Sequence, residues 1–255
     1  MPAETKLFRC LKDNYGVLIH DTASGATAAI DAPEAAPVEA ALKATGWKLT
    51  DILVTHHHAD HTDGIAELKK KYNCRVVAPM AEAGKIPLVD ETVSEGDKVS
   101  VGKLTANVIE TPGHTLGHIT FWFHGDKLAF AGDTLFSIGC GRVSEGTPEM
   151  MWTSLKKLRD LPGDTLVYCG HEYTLANIKF AQTIEPDNKT LAARAAQAAK
   201  QIAGGQWTIP TTIDEEKAAN PFLRADVPAI AAAVGLAGKS AVEVFAEVRA
   251  RKNKF

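Results

Sequence analysis

Cysteine is scarce in this 255-residue chain: Cys10, Cys74, Cys140 and Cys169 stand far apart and form no CxxC pair. That spacing excludes a disulfide framework and a thiolate zinc knuckle, so the four read as reduced core thiols. No run approaches the ~18 uninterrupted apolar residues of a membrane span, and the opening MPAETKLFRC has no apolar signal core. The expectation is a soluble, cytoplasmic protein. A surplus of either charge is missing too: 28 Lys and Arg face 31 Asp and Glu, a formal charge of -3. So weak a field draws the molecule to neither nucleic acid nor acidic membrane. What remains, 45% hydrophobic residues, suffices for one large globular domain or for a domain with an appendage.

Up to about residue 170, short β-type runs alternate with turn residues. GVLIHD at 16–21 and ATAAID at 26–31 read as paired strands about Ser24 and Gly25, and 51–55 (DILVT) reads as a buried strand. A helix over 65–72 and a return to strand at 74–79 complete a βαβ unit. KVSVGKLTANVIE at 98–110 and ITFWFHGDKLAFAGD at 119–133 are β-rich runs with internal turns, the second a tight hairpin at Gly125 and Asp126. Thr147 followed by Pro148 opens a helix, and TLVYCG at 165–170 is the last good strand. From Thr174 onward the pattern is helical: alanine-rich 190–203, then capping boxes pairing Thr212 with Glu215 and Ser240 with Glu243.

The strand DILVT runs directly into HHHADH, which crowds His56, His58, Asp60 and His61 into one loop at a strand's carboxyl end. Loops so placed aim side chains into a single cleft. Imidazole nitrogen and carboxylate oxygen suit zinc and other borderline divalent ions, and alternate ligands converge while His57 points elsewhere. One metal does not easily take all four. His114 in TPGHTLGH, Asp133 in FAGDTLF and His171 in YCGHEY each end an expected strand and supply what two metals would still lack. His20, His118 and His124 lack that placement and read as structural, His118 in a position to orient a neighbour. Cys140 has no partner base and also reads as structural.

THHHADHTDG, TPGHT, AGDTLF and CGHEY together resemble the metallo-β-lactamase superfamily. GCGRVSEGT at 139–147, YCGHEYTLANIKFA at 168–181 and NPFLR at 220–224 resemble its glyoxalase II branch, the hydroxyacylglutathione hydrolases. The resemblance spans essentially the whole chain. It implies an α/β fold, an αββα sandwich forming a catalytic domain over 1–172, followed by a helical substrate-binding domain over 173–255. It implies one divalent ion held by His56, His58 and His114, a second held by Asp60, His61 and His171, and Asp133 bridging both. Zinc is favoured, and the donor set also accepts iron or manganese. Arg142, Tyr173, Arg249 and Lys252 are implied to bind glutathione. Arg249 and Lys252 are three apart on the last helix and share a face there. Two positions depart from the family: Arg142 stands where many relatives have lysine, and Ser144 where some have tyrosine.

The implied reaction converts S-D-lactoylglutathione and water to D-lactate and glutathione, the second step of methylglyoxal detoxification. In such a site a hydroxide shared by two ions about 3.5 to 4 Å apart attacks the thioester carbonyl. Asp60 orients it, and a thiol of pKa about 8.5 leaves without a dedicated acid. The expected partner is a glutathione thioester, with no nucleic acid and no membrane, and the chain is expected to act as a monomer. A mononuclear iron persulfide dioxygenase shares the HxHxDH element but resembles this chain less in GCG-x3-EGT and in the helical tail. Metals that merely knit the fold would call for closed four-ligand sites, unlike the mixed seven-residue set.

Overall fold

The apolar runs of the N-terminal half pair into sheets in the computed structural model, which describes residues 3–255. Two units are distinguishable: the residues up to Glu110 with Thr115–Gly132, and Thr111–His114 with Asp133–Phe255. In the first, β1 (Ala3–Cys10), β2 (Asn14–Asp21), β3 (Thr27–Ile30), β4 (Asp51–Leu53), β5 (Arg75–Pro79) and β6 (Glu91–Val93) lie in that order in one sheet. β1 to β3 run antiparallel and β3 to β6 parallel. β4 and the Val54 that follows it are buried, which is why the apolar run there is an unbroken ILV rather than an alternation. Helices α1 (Ala35–Thr45) and α3 (Ile65–Tyr72) supply Val38, Leu42, Ile65 and Leu68 to a core shared with Leu18, Ile52 and Val76 of the sheet. Each such side chain contributes about 1.5–3 kcal/mol by leaving water.

Parallel strands bring their carboxyl ends to one edge, so the residues that follow β3, β4 and β5 emerge side by side. Those residues are Asp31, the 56–61 loop that enters the one-turn helix α2 (Ala59–Thr62), and the 3-10 turn Met80–Lys85. The same unit holds an antiparallel run of β7 (Lys98–Val101), β8 (Leu104–Glu110), β9 (Ile119–Phe123) and β10 (Leu128–Gly132). Phe121, Phe123 and Phe130 are fully buried on it. The β9–β10 connection is a four-residue turn with Lys127 left-handed at φ 56°, looser than the tight hairpin expected at Gly125 and Asp126. Gly132 closes β10 at φ 46°. A Cβ there would sit 2.6 Å from Thr55 Oγ1 and 2.7 Å from His118 Nε2, so only glycine fits.

In the second unit β11 (Leu135–Phe136) pairs with β12 (Gly139–Cys140), and β13 (Leu166–Cys169) pairs with β14 (Thr211–Thr212). β14 is a short strand within the stretch expected to be helical. Helix α4 (Pro148–Arg159) is capped by Thr147, whose hydroxyl accepts from Met150 N at 3.2 Å, with Pro148 in the first turn. Helices α5 (Thr174–Ile184), α6 (Lys189–Ala203), α7 (Ile213–Ala219), α8 (Pro228–Ala233) and α9 (Ala241–Lys254) follow. Both expected capping boxes open their helices, α7 at Thr212 and α9 at Ser240. Ile178, Ala181, Leu191, Ala198 and Ala219 gather around Ile138 in a small core. Among the described residues no helix is long and apolar enough to cross a membrane.

Candidate metal centre

At the carboxyl edge of the first unit's parallel strands, hydrogen bonds fix which imidazole nitrogens can bind a cation. The Asp31 carboxylate accepts from Thr55 N at 2.7 Å, Thr55 Oγ1 at 2.8 Å and His61 Nδ1 at 2.8 Å. His61 therefore carries its proton on Nδ1 and keeps the lone pair on Nε2. Because the Thr55 hydroxyl donates to Asp31, it accepts from His56 Nδ1 at 3.0 Å, and His56 takes the same tautomer. His56 Nε2 then stands 3.2 Å from His58 Nδ1. Two ligands of a tetrahedral zinc with Zn–N bonds of about 2.0–2.1 Å lie about 3.3 Å apart, so this spacing fits a shared cation. His61 Nε2 lies 3.8 Å from Asp60 Oδ2. Asp60 is steered by Asn14, whose amide donates to its backbone oxygen at 2.9 Å and to Oδ2 at 3.2 Å.

His57 does turn away from the cluster. Its backbone N–H and Nδ1 both meet Glu82 Oε2, at 2.7 and 2.9 Å, while Gly117 N donates to Glu82 Oε1 at 2.8 Å. This buried carboxylate fastens the chain between His56 and His58. His118, fully buried, stacks on His56 with ring centroids 4.9 Å apart. His20 stacks on Trp47, and His124 packs edge-on against Trp122.

The second unit gathers its own donors around one carboxylate. Asp133 Oδ2 lies 3.3 Å from His171 Nε2 and 3.5 Å from His114 Nε2. His114 Nδ1 donates to the Arg142 carbonyl at 3.0 Å, which leaves Nε2 as its lone-pair nitrogen. A Cβ on Gly141 would lie 1.9 Å from the Asp133 carbonyl oxygen, so the glycine is what lets the chain pass behind this residue. Tyr173 stacks flat on His171 at 4.8 Å, and the Phe136 ring meets both edge-on. The donor chemistry thus fits divalent cations: His56, His61 and His114 are locked by oxygen partners at Nδ1, and a carboxylate oxygen lies 3.8, 3.5 and 3.3 Å from Nε2 of His61, His114 and His171.

The four residues expected to bind substrate all fall in the second unit. Arg142 and Tyr173 are exposed. Arg249 is buried: Nη1 donates to Cys140 O at 2.9 Å, Nε donates to Asn253 at 3.1 Å, and the guanidinium lies over Phe222. Lys252 Nζ donates to Ala176 O at 2.8 Å and lies near the rings of Phe180 and Phe255. Burial, helped by the neighbouring Arg249 charge, pulls the Lys252 ammonium down to about 8. Burial pushes the Cys140 thiol up to about 11, in keeping with a structural cysteine. Asp31, Thr55, Glu82 and Asn14 are functional neighbours that sequence reasoning missed. Asp31 had a signal, since it ends the strand ATAAID as the other strand-end residues end theirs; Glu82 sits in a 3-10 turn with no periodic pattern.

Residues 11–171 match the family model described as metallo-β-lactamase superfamily, and residues 172–255 match the one described as hydroxyacylglutathione hydrolase C-terminus. A relative in Rhodopseudomonas palustris (strain BisB5), named hydroxyacylglutathione hydrolase, is 65% identical over 253 residues, 99% of each chain. Among solved structures, ETHE1 from Myxococcus xanthus superposes with a TM-score of 0.70 at 28% identity, covering 99% of this chain and 92% of that one. TTHA1623 in a di-iron-bound form gives 0.58 at 26% identity over 66% of this chain and 92% of its own. The sandwich motifs, the helical tail and the strand-end donors agree with these likenesses, and the chain belongs to the hydroxyacylglutathione hydrolase family within the metallo-β-lactamase superfamily.

Proposed function

We propose that this chain hydrolyses S-D-lactoylglutathione to D-lactate and glutathione with the help of bound divalent metal. The observation that carries the reading is the full-length likeness, helical tail included, to a relative named for that reaction class. The donor geometry supports it. In this reading His56, His58 and His114 would hold one ion, Asp60, His61 and His171 would hold a second, and Asp133 would serve both, with zinc favoured over iron or manganese. When bound, such ions supply a water acidified to near neutral pH and a Lewis acid for the carbonyl oxygen. Asp60, held by Asn14, accepts a hydrogen bond from the attacking water and orients it. Water oxygen bonds to the thioester carbon, the carbon–sulfur bond breaks, the thiolate departs without a dedicated acid, and the protons of the water pass to solvent as the carboxylate forms. Residues 1–172 carry this chemistry and 173–255 grip the substrate. The burial of all four unpaired cysteines is consistent with a cytoplasmic location.

Arg142, Tyr173, Arg249 and Lys252 recognise the glutathione portion. Tyr173, stacked on His171, offers a rigid aromatic wall beside the reacting end. Lys252 gives a titratable signature of that grip. A lysine lowered to about 8 is charged below that pH and neutral above it, so its attraction for the glycine carboxylate fades as pH rises through 8. We expect kcat/KM to fall between pH 7.5 and 9.5, chiefly through KM, and Lys252→Arg to flatten that fall. Superimposable profiles for the two proteins would remove Lys252 from the binding set.

The decisive experiment measures loss of S-D-lactoylglutathione by the purified protein before chelation, after chelation, and after zinc is restored. Turnover that vanishes and returns is expected. Absent turnover in a fully metallated sample, or turnover that survives complete stripping, overturns the reading.

A further inference from the structure

The segment 136–142, which leads to Arg142, is held by side chains at nearly every step. Asn220 Nδ2 donates to Gly139 O at 2.9 Å and reaches Phe136 O at 3.4 Å and Glu216 Oε2 at 2.8 Å. Glu216 Oε2 in turn accepts from Ile138 N at 2.8 Å. Asn177 donates to Ser137 O, Arg194 to Ser137 Oγ, and Arg249 to Cys140 O. Ile138 itself is left-handed at φ 56°, a conformation that a β-branched residue adopts only when its surroundings enforce it. The enforcement comes from two directions: its side chain is buried among α5, α6 and α7, and its N–H is taken by Glu216.

Both ends of this segment touch the chemistry. At one end the Phe136 ring packs against His171 and Tyr173. At the other, the Arg142 carbonyl receives His114 Nδ1 and the Arg142 side chain is exposed. Asn220 is fully buried, so its bonds have no water to replace them. We propose that Asn220, the first residue of the NPFLR motif, together with Glu216, is a positioning residue that sets segment 136–142 and thereby aims Arg142 at substrate and orients His114 for metal. The substrate half of this inference rests on the hydrolase reading above; the metal half does not.

The test uses Asn220→Ser in the full chain. Serine can still cap Phe222 N, the bond Asn220 Oδ1 now accepts at 3.0 Å, but cannot reach Gly139 O. The expected result is KM for S-D-lactoylglutathione raised about tenfold with kcat changed less than threefold, the pattern of lost binding. Metal affinity, read by competition with a coloured chelator, should fall about tenfold, the scale of losing an orienting partner. Glu216→Ala removes the Ile138 acceptor from the other side and is expected to give both shifts, which keeps the test open if the serine variant does not fold. Glu216→Gln should restore both values, since burial pushes the Glu216 carboxyl up to about 7 and an amide imitates its protonated form. Folded variants with lower melting temperature but unchanged KM and unchanged chelator competition overturn the inference. Should the parent protein hydrolyse no glutathione thioester, the chelator measurement still decides it.

Discussion

Asp133→Ala is expected to lower kcat/KM for S-D-lactoylglutathione by about a thousandfold, the upper range for removing one preorganised group at a reacting centre. The magnitude follows from position. Asp133 Oδ2 is the common neighbour of His114 and His171 at 3.5 and 3.3 Å, and the residue is 6% exposed. Alanine leaves both imidazoles without the carboxylate charge that would accompany a cation. Metal content after gel filtration should fall by more than half if the residue serves two ions, whereas loss of a ligand to one ion alone would remove no more than half. Asp133→Asn, which keeps shape and removes charge, should fall between the two. A metal-replete alanine variant with parental activity would refute the bridging role.

Asp31→Ala is expected to damage stability and metal affinity together, although Asp31 belongs to no ligand set in the reading above. Its carboxylate satisfies three buried donors from Thr55 and His61. Stranding them costs about 1–3 kcal/mol for each group left without an acceptor, and a total near 3 kcal/mol is expected after relaxation. At roughly 2–4 °C per kcal/mol for a chain of this size, the metal-free protein should melt about 10 °C lower. The left-handed backbone at Asp31, φ 57°, adds to the penalty in alanine and much less in asparagine. His61 and, through the Thr55 hydroxyl, His56 would both lose their fixed tautomers, so chelator competition should report about a 10- to 100-fold drop in affinity. Unaltered affinity in a folded Asp31→Asn protein would mean that Asp31 serves the sheet and not the centre.

What the sequence discloses is governed by how local each device is. The His56–His61 cluster stands out because six consecutive residues contain four histidines after a buried strand, and the capping boxes at Thr212 and Ser240 are complete within four positions. Asp31 and Glu82 are different. Each acts across a gap of some 25 residues closed only by the parallel register of β3, β4 and β5, which no short window displays. β1 shows no strand pattern because AETKLFRC mixes polar and apolar residues without alternation and is only partly buried as an edge strand, and β14 shows none because it has two residues. Arg249 shows the limit in another way: the basic final helix was legible, but its donation to Cys140 O depends on a partner 109 positions away.

The burial of the four cysteines has a chemical corollary. Raised to about 12, 11 and 12 at Cys10, Cys140 and Cys169, and raised also at Cys74, these groups stay protonated near neutral pH. Only a thiolate is readily alkylated, so these four side chains are poor targets for electrophiles. Labelling by a thiol-directed reagent should therefore be slow on the folded protein and quick once denaturant opens it.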